Sequence, residues 1–351
     1  MKLHRRISKT AVVFVTYGNR HHYFSKLIER LFSMGVEFII AVDNNSHSES
    51  KETLLKYSSG KKLKLCIIEN SQNLGSAYGF SQGIKAAIEL GAEFIWLLDD
   101  DLLPDMDSLL SLLEVWNKLS LTVKTHQLML LSNRVDRQNI YIRAILSNNP
   151  EHVIGDKNKF RSFHILKLIH TLSSKFFVNK EESAFSKKTN MKEFPEYAPI
   201  GAACYGGMFF NVSLVDTIGF PDKNYILYYD DYEFSLRHIR QGGEIYFVTK
   251  SILRDQVKSW NNSRWKFAFL EIATNRNLSI LYYSVRNSVN FEKKYNVDNI
   301  FIYYLNLVIY TFFTCVAALI FCRFRNIKVY LQALFDGLNG KMGFNPKYLL
   351  K

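Results

Sequence analysis

The chain has 351 residues, of which 48% are hydrophobic and 22% are charged, and its formal net charge is +13 at pH 7. This composition excludes an intrinsically disordered chain, and the length predicts one large domain with extensions. The positive charge predicts an anionic partner. Because the sequence has no helix-turn-helix, zinc-ligand or RNA-binding pattern, we expect an anionic membrane surface and no nucleic acid.

The chain starts with MKLHRRISK, which is basic but lacks the long apolar run and the cleavage site of a signal peptide. The four cysteines show no CxxC spacing. We therefore expect reduced thiols in a cytosolic compartment.

Strand-like and helix-like segments alternate over the first 130 residues. The predicted strands are TAVVFVTYG, VEFIIAVDNN, KLKLCIIEN and EFIWLLDDD, and helical spacing lies between them in YFSKLIERLFSM, SESKETLLKY and SAYGFSQGIKAAIELG. This alternation predicts an α/β fold with a mostly parallel sheet flanked by helices. In such sheets, ligands bind beyond the carboxyl ends of the strands.

Polar side chains follow these four strands where each strand ends. In chain order they are Thr16 and Tyr17, then Asp43 to Asn45, then Glu69, Asn70 and Asn73, and finally Asp99, Asp100 and Asp101. Because the ends of parallel strands share one edge of the sheet, we expect these groups to converge on one cleft.

Three glycines recur at intervals of four in the third predicted helix, at Gly75, Gly79 and Gly83. This spacing places them on one helix face and favours a close approach of that helix to the sheet. A phosphate-binding loop is the alternative, although the spacing matches neither the dinucleotide nor the P-loop pattern.

The second half of the chain is less regular. Residues 130–196 show no clear pattern, after which CYGGMFF predicts a strand, DYEFSLRHIRQ a helix that ends at Gly242, and EIYFV another strand. The segment FAFLEIATNRNLSILYYSVRNSV then predicts one long helix.

An apolar run covers residues 300–322, with Asn306 as its one strongly polar residue, and Arg323, Arg325 and Lys328 follow it. A run of this length either spans a bilayer or packs in a bundle that faces the membrane. We expect monotopic attachment, since no folded domain is expected beyond the run.

The three consecutive aspartates, Asp99 to Asp101, repel one another by about 4 kcal/mol per pair at an effective dielectric of 20. Asp105 and Asp107 suit the first turn of a helix, whereas the triplet precedes that helix and caps nothing obvious. A divalent cation, Mn²⁺ or Mg²⁺, would offset the repulsion and bind a nucleotide diphosphate at the same time.

A second acidic pair, Asp230 and Asp231, begins a predicted helix. One of the two is expected to cap that helix. The other is free, and the aromatic residues before it would limit solvent and raise its pKa, as a general base requires.

In this order, the segments VTYGNR, VDNNS, NLGSAYGFSQGI, LLDDDLLPD and YYDDYEFSLRHIRQGG resemble the family 2 glycosyltransferases with the GT-A fold. The DDD form, DDYEFSLR, YYSVRN and DGLNGKMG look most like the rhamnosyl- and galactofuranosyltransferases of bacterial O-antigen, capsule and other surface polysaccharides.

The resemblance implies a role for each matching residue. The implied base is Asp231, with Asp230 and Glu233 positioning the acceptor. The implied nucleotide contacts are Thr16, Tyr17, Asp43, Asn73 and Asp100, and the metal ligands Asp99, Asp101 and Asp255. Galactofuranosyl members often have a histidine near the last of these positions, so Asp255 departs from their pattern.

The implied reaction is inverting transfer from a UDP- or dTDP-linked sugar to a polyprenyl-diphosphate-linked glycan, on the cytoplasmic face of the inner membrane. Residues 1–258 would form the catalytic domain, with a nucleotide-binding half at 1–130 and an acceptor-side half at 196–258. Residues 259–351 would form a helical extension that is peripheral or monotopic.

Two other functions remain open on the sequence. A nucleotidyltransferase also uses a parallel sheet and a metal, but it usually has a glycine-rich basic loop where this chain has TYGNRHH. A non-catalytic membrane scaffold would explain the charge and the apolar run, but not two acidic clusters at strand and helix ends.

Overall fold

The computed structural model describes residues 6–59, 64–167, 194–257 and 268–350. Within them, nine strands form one sheet: β1 (Thr10–Thr16), β2 (Phe38–Asn44), β3 (Lys64–Asn70), β4 (Phe94–Asp99), β5 (Leu102–Pro104), β6 (Leu128–Arg134), β7 (Tyr197–Pro199), β8 (Met208–Asn211) and β9 (Glu244–Asp255). The strand order is β3-β2-β1-β4-β8-β6-β9-β5, and β7 pairs with β9.

The sheet is parallel where the sequence pattern predicts it and mixed beyond that point. Strands β3, β2, β1 and β4 are parallel neighbours, and β6 is parallel to β9. Strand β8 lies antiparallel between β4 and β6, and β5 and β7 are antiparallel to β9. The predicted α/β fold with a mostly parallel sheet is therefore confirmed, with three opposed strands added.

Helices cover both faces of this sheet: α1 (His21–Ser33), α2 (Ser48–Ser58), α3 (Ser76–Glu89), α4 (Ser108–Leu119), α5 (Asn139–Leu146), α6 (Ser213–Ile218) and α7 (Asp230–Arg240). Alternate residues of β1 enter two separate cores. Val13 packs in the core that contains Ile84 of α3, whereas Phe14 packs in the core that contains Phe24 of α1 and Leu112 of α4. Burial on both faces explains why these strands read as continuous apolar runs.

Two of the three spaced glycines lie against the sheet, as the spacing predicts. A Cβ atom at Gly83 would lie 2.2 Å from Val13 Cγ1, and one at Gly79 would lie 2.8 Å from Val15 Cγ1. Gly75 is different, because it precedes α3 with φ +83°. The close approach of α3 therefore requires glycine at two positions, and a left-handed backbone favours it at the third.

Four helices form the C-terminal extension: α8 (Ala268–Thr274), α9 (Leu278–Tyr295), α10 (Ile300–Ile320) and α11 (Phe324–Leu338). The prediction of one long helix from 267 to 289 is wrong. The side-chain oxygen of Asn277 accepts hydrogen bonds from the backbone N–H groups of Ser279 and Ile280, so a new helix begins there. The predicted domain boundary at 258 lies outside the described residues and stays a prediction.

Helix α10 has two faces of different surroundings. It is long and apolar enough to cross a membrane, and it is the one such helix among the described residues. One face packs on the protein through Tyr303, Asn306, Leu307, Tyr310, Thr314, Ala317 and Ala318. The opposite face, which we call the apolar face of α10, exposes Phe301, Leu305, Val308, Phe312 and Ile320.

Candidate functional site

The register of the parallel strands brings the predicted residues of strands β1, β2 and β4 to one edge. Thr16 of β1 lies beside Asp43 of β2, and Val15 of β1 lies beside Asp99 of β4. Asp43 in turn lies beside Glu69 of β3. The polar groups at the carboxyl ends of these strands therefore lie side by side at one edge of the sheet, as the sequence predicts.

Asp100 and Asp101 are buried against one arginine that the sequence reasoning did not single out. Arg20 donates from Nε and Nη2 to the carboxylate of Asp100 at 2.7–2.9 Å, and its Nη2 lies 2.9 Å from Asp101 Oδ2. Thr16 Oγ1 donates to Asp100 Oδ2 at 2.7 Å. Burial raises the pKa of Asp100 to about 6 in spite of Arg20, so the carboxylate is charged at neutral pH and depends on that arginine.

Asp99 and Asp255 share a second arginine. Arg134 donates from Nη1 to Asp99 Oδ2 at 2.6 Å, and from Nε to both oxygens of Asp255 at 2.9 and 3.0 Å. The side chain of Asp255 is 3% exposed, whereas that of Asp99 is 37% exposed. Asp99 therefore borders solvent, and Asp255 is enclosed by its ion pair.

Two arginines offset part of the repulsion of the aspartate triplet, which the sequence did not predict, and the cation stays a prediction. Among the described residues, no group of three or more His, Cys, Asp or Glu side chains has the arrangement of a metal site. The recorded arginine contacts of Asp99 and Asp101 are made through Oδ2, and carboxylate oxygens such as theirs are the hard ligands that a divalent cation takes. These two carboxylates fit a divalent cation that also takes substrate oxygens, whereas both oxygens of Asp255 are engaged.

The second acidic pair divides into one buried and one half-buried residue. Asp230 is 2% exposed and accepts a hydrogen bond from Ser76 Oγ at 2.7 Å. Asp231 is half-buried and accepts from the backbone N–H of Tyr232 at 2.8 Å. Burial raises the pKa of both carboxyls, and the charge of Asp99 raises them further. The ends of β4 and the start of α7 thus lie within electrostatic range of each other.

The segment that delivers this pair is strained. Ile226 has φ 66° and ψ −66°, and the N–H of Leu227 donates to the carbonyl of Tyr225 at 2.7 Å across it, which makes a γ-turn of the rare strained type. Tyr228 and Tyr229 also have positive φ, at 68° and 65°. Each such residue costs about 1 kcal/mol or more, so the surrounding structure must hold the segment.

The predicted nucleotide contacts lie beside this acidic cluster. Asp43 is fully buried, and its Oδ1 accepts from the N–H of Ser46 at 2.7 Å. Its Oδ2 is buried and finds no hydrogen-bond partner among the described residues. A buried carboxylate oxygen without a partner is costly, and a ligand N–H group that reached this oxygen would remove the cost.

Tyr17 lies in the loop after β1 and Asn73 in the loop after β3, and these strands are the two neighbours of β2, which carries Asp43. Tyr17 is 41% exposed, with the guanidinium of Arg20 5.3 Å from its ring centroid. Asn73 Oδ1 accepts from the N–H of Gly75 at 3.1 Å, so it shapes the entry to α3.

Glu233 is buried and does not lie open to solvent as Asp99 does. It is 1% exposed and accepts from Arg237, Lys294 and Tyr295. Its predicted contact with the acceptor stays a prediction, because the structure commits its oxygens to a local ion-pair network on the α9 side of α7.

The sequence model of the family described as glycosyl transferase family 2 matches residues 12–183. The chain belongs to the family 2 glycosyltransferases. Galactofuranosyltransferase GlfT1 of Mycolicibacterium smegmatis is 26% identical over 206 residues, which cover 59% of this chain and 57% of that relative. The chain therefore spans just over half of the length of the curated relative that it matches.

Two solved structures are similar to this family 2 glycosyltransferase. GalNAc-T7 with UDP, GalNAc and Mn²⁺ has a TM-score of 0.47 and 13% identity, over 82% of this chain and 51% of that chain. S. aureus TarS 1-349 has a TM-score of 0.46 and 13% identity, over 94% of this chain and 91% of that chain. Similarity at this distance says nothing about substrate.

The sequence reasoning on this glycosyltransferase missed the residues that balance its charges. Arg20 lies in TYGNRHH, and Arg134 lies in residues 130–196, which show no clear sequence pattern. The only available signal was the excess of acidic groups at the strand ends, because buried charges are paired when no ion is bound. That signal does not say which of 45 lysines and arginines supply the pairing.

Arg20→Gln tests whether Asp100 depends on its arginine. We expect the free energy of unfolding to fall by about 3 kcal/mol at pH 7.5, because a buried carboxylate is left unpaired. In the folded protein the pKa of Asp100 is raised above its unfolded value of about 4, so the folded state loses stability as the pH rises and the carboxyl becomes charged. Without Arg20 this pKa rises further, and the loss at high pH becomes larger. The difference in free energy of unfolding between Arg20→Gln and the unmodified protein should therefore be smaller at pH 5 than at pH 7.5. Urea unfolding at both pH values measures this difference.

Arg254→Gln is the matched control, because Arg254 and Asp105 form a pair whose side chains are 59% and 40% exposed. Loss of this pair should change the free energy of unfolding by less than about 1 kcal/mol at either pH. An Arg20→Gln deficit that is the same at pH 5 and pH 7.5 would contradict the role of Asp100.

Proposed function

We propose that the chain catalyses inverting transfer of a sugar from a nucleotide-sugar donor to a hydroxyl group of a glycan. The arrangement that supports this most directly is the one sheet edge at which Thr16, Asp43 and Asp99 lie, together with the effect of the Asp99 charge, which raises the pKa of Asp231 at the start of α7. An acidic strand end suits a metal-bound diphosphate, and an accessible carboxylate of raised pKa suits a general base. Family membership supports the same reaction class.

Asp231 is the better base of the acidic pair. Asp230 is enclosed and already accepts a hydrogen bond from Ser76, whereas Asp231 is half-buried. A general base must reach the acceptor hydroxyl, so the more accessible carboxylate takes this role. Asp230 then supports the position of its neighbour.

The bond changes balance without a redox partner. Asp231 takes the proton of the acceptor hydroxyl while the hydroxyl oxygen bonds to the anomeric carbon from the face opposite the leaving group. The bond from the anomeric carbon to the diphosphate oxygen breaks, and the nucleoside diphosphate leaves with the electron pair. A divalent cation, when bound, stabilises the negative charge on the leaving diphosphate.

For the donor, we propose a uridine or thymidine diphosphate sugar, with galactofuranose favoured over rhamnose. The partnerless Oδ2 atom of Asp43 suits an N–H donor of a pyrimidine base. The relative at 26% identity is named as a galactofuranosyltransferase. Asp255 would not serve as a metal ligand while Arg134 engages both of its oxygens.

For the acceptor, we propose a polyprenyl-diphosphate-linked glycan at the cytoplasmic face of the inner membrane, in the synthesis of a bacterial surface polysaccharide. The apolar face of α10 and the basic residues Arg323, Arg325 and Lys328 after it would bind an anionic bilayer. Asn306, in the middle of α10, donates to the carbonyl of Asn158 and accepts from the N–H of Ile165. A spanning helix would carry this polar segment into hydrocarbon, so α10 lies along the surface instead.

Asp231→Asn should lower kcat for sugar transfer by about 1,000-fold, because the base is lost. Binding of the donor, measured by calorimetry in the presence of Mn²⁺, should change little. Asp216→Asn, at an exposed carboxylate of α6, is the control and should retain transfer. Loss of donor binding in Asp231→Asn would contradict the role as base.

Release of pyrophosphate from a sugar-1-phosphate and a nucleoside triphosphate would indicate a nucleotidyltransferase.

Asp99→Asn tests the cation site. With Mn²⁺ present, we expect the donor Kd to rise by about tenfold or more, because one of two carboxylate ligands is lost. Asp105→Asn, six residues later and paired with Arg254, is the matched control. Calorimetry with and without a chelator measures the cation-dependent part. Donor binding that is equally tight with the chelator would remove the cation from the proposal.

Replacing Phe301, Val308 and Phe312 by serine should weaken co-sedimentation with anionic phosphatidylglycerol vesicles by about 100-fold, since apolar area no longer enters the bilayer. The matched control replaces Leu55, Leu90 and Leu121 by serine, which are exposed leucines outside α10. Equal loss in both variants would mean that α10 is not the attachment site.

A further inference from the structure

Two adjacent residues of α9 hold the strained segment that leads into the acidic pair. Asn287 donates from Nδ2 to three carbonyl oxygens of this segment, those of Tyr225, Leu227 at 2.7 Å and Tyr228 at 3.1 Å. Arg286 donates from Nη2 to the carbonyl of Asn224 at 3.0 Å. Both side chains are buried, at 0% and 1% exposure. One amide and one guanidinium therefore supply hydrogen-bond donors to four carbonyls of this irregular backbone.

The pair is itself held in place from within the extension. Arg286 Nε donates to Asn287 Oδ1 at 2.9 Å, which turns the Nδ2 atom of Asn287 towards the segment. The guanidinium lies 4.9 Å from the ring centroid of Tyr283 and 5.5 Å from that of Tyr282, and it also donates to the carbonyl of Gly343. The donors are thus oriented by contacts that do not involve the 224–229 segment.

Helix α3 closes the other side of the segment. The N–H of Ala77 donates to the carbonyl of Ile226 at 3.3 Å, and a Cβ atom at Gly75 would lie 2.0 Å from that same oxygen. Ser76 binds Asp230 directly, as described above. Residues 224–229 therefore have little room to relax between the start of α3 and the middle of α9.

We propose that Arg286 and Asn287 are positioning residues that hold the 224–229 segment in its strained form and so fix Asp230 and Asp231 for the transfer reaction. The inference rests on the proposed function for its catalytic consequence only. The extension is then part of the catalytic apparatus as well as a means of attachment. The pair acts through the carbonyl groups of the segment and does not touch substrate.

Asn287→Leu removes the three hydrogen bonds while keeping a similar volume and adding no charge. Its matched control is Asn326→Leu, because Asn326 of α11 is also buried and also donates to three carbonyls, those of Ile272, Ala273 and Asn275. These carbonyls end α8 and are remote in sequence from the acidic pair. A general loss of stability would affect both variants alike.

The first measurement is hydrogen exchange by mass spectrometry on peptides that cover residues 222–230. We expect Asn287→Leu to speed exchange in these peptides by about tenfold, and Asn326→Leu to leave them unchanged. This measurement needs no activity, so it tests whether Asn287 holds the segment even if the protein transfers no sugar. Unchanged exchange in Asn287→Leu would overturn the proposal.

The second measurement is transfer kinetics. We expect kcat to fall by about 100-fold in Asn287→Leu, because a small displacement of the base is costly, while the donor Kd stays within about threefold. Water that reaches the relaxed segment should also shift the acid limb of the kcat profile to lower pH. Faster exchange with unchanged kcat and an unchanged pH profile would overturn the positioning role.

Arg286→Lys provides a milder change in case Asn287→Leu does not fold. Lysine keeps the positive charge but loses the fork that orients Asn287 and reaches Asn224, so it should change exchange and kcat in the same direction. Transfer and exchange like those of the unmodified protein in this variant would exclude Arg286 from the proposed role.

Discussion

Buried negative charge at one edge of the sheet is the constraint on which the rest of this structure depends. Five carboxylates lie close together there: Asp99, Asp100, Asp101, Asp230 and Asp231. Two arginines pair with the triplet and offset part of its charge, Arg20 from the loop after β1 and Arg134 from the end of β6, although Arg134 also pairs with Asp255. Asp230 and Asp231 have no such ion pair within the described part of the chain. The site therefore keeps a local excess of negative charge, which raises pKa values and favours cations.

The carboxylates differ in access, and access separates the roles proposed for them. Asp100 and Asp230 are enclosed and bound by Arg20 and Ser76, whereas Asp99 and Asp231 are partly exposed. An enclosed carboxylate of this kind holds neighbouring side chains in place through its hydrogen bonds. A partly exposed carboxylate can bind a ligand or accept a proton. The same division occurs at both acidic segments, although they come from parts of the chain that are 130 residues apart.

The helical extension is joined to this site by hydrogen bonds as well as by apolar packing. The 224–229 segment has unfavourable φ values, and α9 supplies the donors that its carbonyl groups need. The extension also carries the apolar face of α10. One set of helices thus links a surface suited to a bilayer with the backbone that precedes the candidate base.

Local patterns were enough to predict the four N-terminal strands, the helices between them and the edge on which their polar ends meet. Continuous apolar runs are sufficient for this purpose because these strands are buried on both faces. The break between α8 and α9 was missed, since the apolar spacing continues across Asn277 and only the cap reveals the new start. Strands β5 and β7 are three residues each and carry no periodicity to detect.

The sequence by itself determined which residue types are available: acids at strand ends, a base candidate at a helix start and an apolar run with basic residues after it. Only the tertiary structure decided which charges meet. Ion pairs such as Arg134 with Asp99 and Asp255 join residues far apart in the chain, and no local pattern encodes a pairing that arises when separate strands come together in the sheet. For the same physical reason, the strain at residues 226–229 and the asparagine that supports it became visible only in three dimensions.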